Sequence, residues 1–203
     1  MKIDKYEKIG KDKYRLFLSN GEVVDTYDNV ILDNELLLKK ELDNSLYNRV
    51  LNETSFYDKY NMALNYIKVR LRSTKEIKEY LLKKKIELED IELIIEKLIK
   101  TNNLNDDYFS KCFIKDKFRF TSWGPYRIKL ELKKLGVDEE YINKNINIIS
   151  NEEIDKKLDK LINKQIKSNH KLDNYKLRNK IYANLVKLGY DASYVINILN
   201  EYL

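Results

Sequence analysis

Arginine is scarce in this lysine-rich chain, and its forked guanidinium marks the positions able to grip an oxyanion at two points. Arg70, Arg72, Arg119, Arg127 and Arg178 can each donate two parallel N–H bonds to a phosphate or carboxylate, which the lysine ammonium cannot do. Lys117, Lys133 and Lys134 stand close to two of them in sequence, and the eight together are the candidate polyanion contacts. Phe118, Phe120, Trp123 and Tyr126 interleave with Lys117, Arg119 and Arg127, a pattern that suits stacking on unpaired bases. Competing roles stand beside these. An arginine near a helix end also satisfies last-turn carbonyls, and a lysine-rich helix is also an ordinary solvated face. Phe118 and Trp123 are read as the core of a turn, with the stacking platform as the alternative.

Catalysis finds no comparable support. Cys112 has no partner base, since the sole histidine, His170, falls in a linker-like stretch; the cysteine is read as a small buried hydrophobe and the histidine as exposed. The run Asn102-Asn103-Leu104-Asn105-Asp106-Asp107 looks like a cation loop. It lacks the alternating ligands, central glycine and closing glutamate of an EF-hand, so it reads as an interhelix turn with an N-cap. No glycine-rich phosphate loop or metal-ligand cluster is present in the sequence, and no catalytic, cofactor or metal residue is assigned.

The elements that must carry the basic residues emerge from a repeat. Residues 124–142 read GPYRIKLELKKLGVDEEYI. Pro125 suits a first helical position, Ile128, Leu132 and Leu135 share one helical face, and Gly136 can end the helix in the left-handed conformation. Asp138 then offers an N-cap for the next helix. Fifty-three residues later Ile181, Leu185, Gly189, Tyr190, Asp191 and Val195 occupy the slots of Ile128, Leu132, Gly136, Val137, Asp138 and Ile142. Fifty-one residues earlier Ile77, Leu81, Ile86 and Ile91 fill the apolar slots, with Lys85 in place of glycine. A period of this length, holding two recognisable helices with room for a third, predicts a tandem helical array.

Composition agrees. Among 203 residues, 43% are hydrophobic, enough for a core, and 39 basic against 33 acidic residues give a net charge of +6, a mild basic excess that only hints at nucleic acid. One cysteine forms no internal disulfide, no apolar run approaches membrane-spanning length, and the opening MKIDKYEKIG lacks a signal-peptide core; a cytoplasmic protein is expected. Asn20-Gly21 between two runs of β-formers over 13–27 predicts a hairpin, with Ile3 to Ile9 as a third strand. A helical run from Val30 to about Lys40 should cover it. Asp43-Asn44-Ser45 then caps a longer helix, interrupted near Asn52 to Ser55.

Ser73 and Glu76 have the spacing of a capping box, so one helix ends near Arg72 and another begins at Thr74. With Ala63-Leu64, Arg70-Leu71-Arg72-Ser73 and Glu76-Ile77, followed by Leu104-Asn105-Asp106, the first repeat resembles the RecX family of RecA regulators. The second repeat is similar to that family's Gly-x-x-Arg-Ile-x-x-Glu-Leu-x-x-x-Gly pattern through Gly124, Arg127, Ile128, Glu131, Leu132 and Gly136. The likeness covers about residues 56 to 200. It departs at Lys85, where glycine is usual, and in the third repeat, which keeps the apolar frame but few motif residues.

The resemblance implies a mainly α protein of tandem three-helix repeats in an elongated, curved array behind a small N-terminal β-hairpin. It implies no enzyme and no cofactor, but a cytoplasmic monomer that binds RecA filaments on single- or double-stranded DNA. There it would modulate, mainly inhibit, recombinase, ATPase and strand-exchange activity in DNA repair and the SOS response. The expected divisions are 1–55 for the hairpin and its helices, then repeats over 56–106, 107–152 and 153–203. Charge is segregated accordingly: residues 66–85 and 111–134 each carry eight basic and two acidic side chains, whereas 86–98 and 135–155 carry net charges of −4 and −5. Basic segments of stacked repeats could line up as a stripe for a polyanion. A directly DNA-binding repeat protein would use the same segments without RecA, whereas a scaffold for another protein partner would need neither and would keep its partner after charge reversal across the basic stripe.

Overall fold

The computed structural model describes residues 1–202. The chain forms two compact units, Met1–Arg70 with Tyr80–Asn103, and Leu71–Glu79 with Leu104–Leu203.

The first unit opens with an antiparallel sheet of order β1-β2-β3, with β1 at Ile3–Lys8, β2 at Lys13–Leu18 and β3 at Val23–Tyr27. Gly21 sits at φ 84° in the β2–β3 turn, the conformation that Asn-Gly pairs supply at little cost. Three strands still need a cover. It comes from α1 (Asp28–Asp33), α2 (Leu36–Lys39) and α3 (Asn44–Val69), which bury Leu16, Leu18, Val24, Val30, Leu36 and Val50 in one core.

Two expectations need correction here. The run from Val30 to Lys40 is not one helix. The Asn34 side chain donates back to Val30 O at 2.9 Å and to Glu53 Oε2 at 2.5 Å, and Glu35 turns to φ 54°, which separates α1 from α2. Conversely, α3 passes through Asn52 to Ser55 without interruption. Its polar residues there have partners across the fold: buried Thr54 shares a 2.6 Å hydroxyl bond with Thr26 of β3, while Glu53 takes the Asn34 amide. Tertiary contacts override the weak local pattern.

Asp43 caps α3 by accepting from Leu46 N–H at 2.7 Å. Within this unit α5 (Leu88–Lys100) packs on α3, joined by the Lys59–Asp90 ion pair at 2.5 Å and a Tyr60–Thr101 hydroxyl bond at 3.1 Å. The intervening α4 (Thr74–Lys83) begins in the second unit and ends in the first.

The second unit continues with α6 (Asp106–Phe120), α7 (Pro125–Lys134), α8 (Glu139–Ile146), α9 (Asn151–Ser168), α10 (Asn174–Lys187) and α11 (Ala192–Tyr202). Phe109, Ile114, Ile128, Leu132, Val137 and Ile142 form one core, and Leu158, Ile162, Leu177, Ile181, Leu185, Tyr190 and Val195 another. Every apolar slot that the three repeat copies share is buried, as expected of a tandem three-helix fold.

The turns that end α4, α7 and α10 share one geometry. Gly136 N–H reaches Lys133 O and Val137 N–H reaches Leu132 O; Gly189 and Tyr190 repeat the pair on Val186 and Leu185; Lys85 and Ile86 repeat it on Leu82 and Leu81. The pivot residues Gly136, Gly189 and Lys85 lie at φ 76°, 90° and 59°. Each is a Schellman closure that satisfies last-turn carbonyls and returns an apolar residue to the core. Lys85 therefore adopts the left-handed conformation without the freedom of glycine.

Candidate functional site

The helix starts next to the basic residues are built from side-chain caps. Ser73 Oγ accepts from Glu76 N–H at 3.3 Å while Glu76 accepts from Ser73 N–H at 3.1 Å, completing the capping box. The serine does more than cap. It is fully buried, and its hydroxyl donates to Leu135 O at 2.7 Å, one of the terminal carbonyls of α7. Thr74 N–H donates to Asp106 at 2.8 Å, and Lys75 Nζ to Lys134 O at 2.9 Å. Neither long-range bond has a sequence signature.

This construction decides how the eight candidate cations are displayed. Arg70, the C-cap of α3, is exposed in extended backbone in the first unit. Arg72 turns inward: its side chain is 11% exposed and pairs with Glu76 at 3.4 Å. In the second unit Lys117 and Arg127 converge on Trp123, at 5.2 and 4.6 Å from its ring centre, so the indole has two cations within cation–π reach. Arg119 is exposed and lies over Phe120 at 5.3 Å. Lys133 pairs with Glu139 and Lys134 with Glu131 at 2.8 Å, both on the surface. Arg178 donates to Asn200 Oδ1 at 2.5 Å in the third repeat. Lys117 and Arg127 thus share one neighbourhood at Trp123, Arg119 stands over Phe120, and Arg72 and Arg178 serve internal contacts.

The aromatic residues divide likewise. Phe118 and Trp123 are half-buried and pack against the α6–α8 core, whereas Phe120 and Tyr126 stand exposed. Cys112 is half-buried rather than a full core residue, because α6 turns that face toward solvent past Tyr108. His170 is exposed just after α9.

One functional-looking residue carries no mark in the sequence. Lys157 of α9 donates to Phe118 O and, at 3.4 Å, to Trp123 O, and lies 4.0 Å from the Phe118 ring centre. Its charge complements the carbonyl end of α6. Burial pushes its ammonium down to about 8. In the sequence it is one lysine of the pair Lys156-Lys157, and only the register of α9 distinguishes the inward one.

A second polar cluster is structural. Buried Asn145 donates to Asp107 Oδ1 and Ser110 Oγ, both at 2.7 Å, and Lys144 reaches Asp107 at 2.8 Å. The Lys144 ammonium and the Asn145 amide hold the Asp107 carboxyl below its usual range. Among the described residues no group of three or more His, Cys, Asp or Glu is placed to hold a metal, and no helix is long and apolar enough to cross a membrane.

Repeated three-helix modules, closed by matching left-handed turns and displaying cations on their leading helices, define a tandem helical-repeat protein. Models of the first and second three-helix domains of RecX match residues 60–98 and 105–144. The chain belongs to the RecX family, a family of regulatory proteins. Regulatory protein RecX of Oceanobacillus iheyensis is 27% identical over 200 residues, covering 96% of this chain and 74% of the relative. That of Enterococcus faecalis is 34% identical over 138 residues, 66% of this chain and 52% of the relative. Among solved structures, a regulatory protein RecX superposes with a TM-score of 0.85 at 20% identity over 98% of both chains, a likeness of fold. RecX from Lactobacillus salivarius gives 0.68 at 27% identity, over 72% of this chain and 95% of that one.

Proposed function

We propose that this protein binds RecA filaments assembled on DNA and modulates them, mainly as an inhibitor of ATPase and strand-exchange activity, without catalysis of its own. The supporting observation is that the RecX models match both modules on whose leading helices the basic charge is concentrated. The reading places the protein in the cytoplasm as a monomer acting in recombination, DNA repair and the SOS response. Arg70, Arg119, Lys133 and Lys134, exposed on the surface, are the proposed contacts. Lys117 and Arg127 support them through Trp123, and Arg72 and Arg178 act by holding their elements.

The test replaces Arg70, Lys133 and Lys134 together by glutamate, leaving Arg72 and the Trp123 cluster intact. Inhibition of RecA strand exchange should then require a higher protein concentration. A variant with wild-type helical circular dichroism and melting temperature that inhibits at the wild-type concentration overturns the proposal. If these side chains neutralise DNA phosphates, the salt dependence of binding should also flatten, by a slope of about 0.7 to 0.9 for each phosphate released, whereas pairing with acidic side chains of RecA need not follow that rule.

A further inference from the structure

A groove of about 680 Å³ lies between the last turns of α6, the α8–α9 connection and α9, and its two kinds of lining do not match in character. The cations are Lys115, Arg119, Lys156, Lys157 and Lys160, against the single acid Glu153. Glu153 is engaged elsewhere, accepting from Ser150 N–H at 3.0 Å and from its hydroxyl at 3.1 Å in the α9 capping box. Lys156 pairs with Glu152 at 2.6 Å, and Lys157 is committed to the end of α6. Among the described residues Lys115, Arg119 and Lys160 have no carboxylate within ion-pair distance. Three uncompensated positive charges thus converge on one concavity, although neighbouring helices carry ample acid.

The remaining lining is aliphatic: Ile148, Ile149 and Leu161 line the groove beside Phe118. The Phe118 ring has the Lys157 ammonium 4.0 Å from its centre, which takes up a face that a base would need for stacking. A strand of nucleic acid would meet lysines for its phosphates and no free aromatic face for its bases. An amphipathic protein segment with carboxylates beside aliphatic side chains matches both linings at once. We propose that this groove docks an acidic, amphipathic helical segment of a protein partner, with its aliphatic face against Ile148, Ile149 and Leu161 and its carboxylates at Lys115, Arg119 and Lys160. The proposal goes beyond the filament reading and shares only Arg119 with it; its test changes Lys115 and Lys160, and the filament test changes Arg70, Lys133 and Lys134, so either can fail alone.

The probe is a fluorescently labelled synthetic peptide of about four helical turns, with leucine on one face and glutamate along both flanks. Polarisation is read with the full chain, against a scrambled peptide of the same composition, a glutamate-to-glutamine version, and an oligothymidylate of equal charge. Binding of the designed peptide alone, weakened about tenfold or more by Lys115→Glu with Lys160→Glu, is the expected result. Both lysines are exposed, and unchanged circular dichroism checks the fold; Lys115→Gln with Lys160→Gln, expected to weaken binding by a smaller factor, replaces the pair if it does not hold. No binding, equal binding of the scrambled peptide, insensitivity to the lysine substitutions, or displacement of the peptide by the oligothymidylate each overturns the proposal.

Discussion

Gly124 and Gly189 meet backbone to backbone: Gly124 N–H donates to Leu188 O at 2.8 Å, and a Cβ at Gly124 would come within 2.5 Å of Gly189 O. Gly189 has no more room, since its own Cβ would lie 2.4 Å from Arg127 N. Two unrelated demands, a left-handed turn and a close crossing, therefore fall on Gly189, and only the crossing falls on Gly124. Gly124→Ala should cost about 3 kcal/mol through overpacking against rigid backbone, and Gly189→Ala more. Gly21→Ala, at φ 84° in open space, should cost only about 1 kcal/mol. Urea unfolding of the three variants gives the order; a Gly124→Ala cost no greater than that of Gly21→Ala would show that the crossing opens freely.

Replacing Ser73 by alanine removes two things. The cap alone is worth about 1 kcal/mol, and the Leu135 carbonyl loses its buried donor for roughly another 1 to 2 kcal/mol. Ser73→Ala should thus destabilise by about 2 to 3 kcal/mol, beyond an ordinary surface cap such as that at Ser150. Equal losses for Ser73→Ala and Ser150→Ala in denaturant titrations would contradict the extra bond.

Lys85 at φ 59° occupies a position where glycine relieves strain and nothing in the turn depends on its side chain. Lys85→Gly should raise stability by up to about 1 kcal/mol, less the gain in unfolded-chain entropy. A lower melting temperature for the glycine variant would count against it.

Lys157 supplies a dependence on pH. An unfolded lysine keeps its proton to about 10.5, whereas burial brings the folded group to about 8. Between those values the unfolded chain binds more protons, so stability should rise with pH across the window, relative to Lys157→Met, which keeps the apolar stem. Below about 8 both states are protonated and the difference should level off. Denaturation midpoints of both proteins across this range measure it; parallel curves would mean that the ammonium is not buried against α6.

The repeat frame is legible because it is written in local terms. Apolar spacing locates Ile128, Leu132 and Leu185, glycine locates the turns at 136 and 189, and the repeat register assigns Lys85 a left-handed turn that it does adopt. The resemblance in motif residues finds the family. What cannot be read are relations between distant positions. Nothing near Ser73 announces Leu135, nothing near Gly124 announces Gly189, and Thr54 looks like an interruption because its partner lies on β3. The candidate cations can be found as a set, but not their display: Arg72 and Arg119 look alike in sequence, yet one faces Glu76 and the other solvent.

The second unit draws residues 71–79 from one stretch of chain and the rest from Leu104 onward. During synthesis the buried hydroxyl of Ser73 must wait 62 residues for the carbonyl of Leu135, so this helix start emerges long before it can be completed. A fragment beginning at Leu104 would lack the residues that serve Asp106 and the end of α7, however well its remaining helices pack. Cutting the gene at the apparent inter-repeat turn would therefore yield a piece with exposed helix ends; a cut ahead of Leu71 would keep them covered.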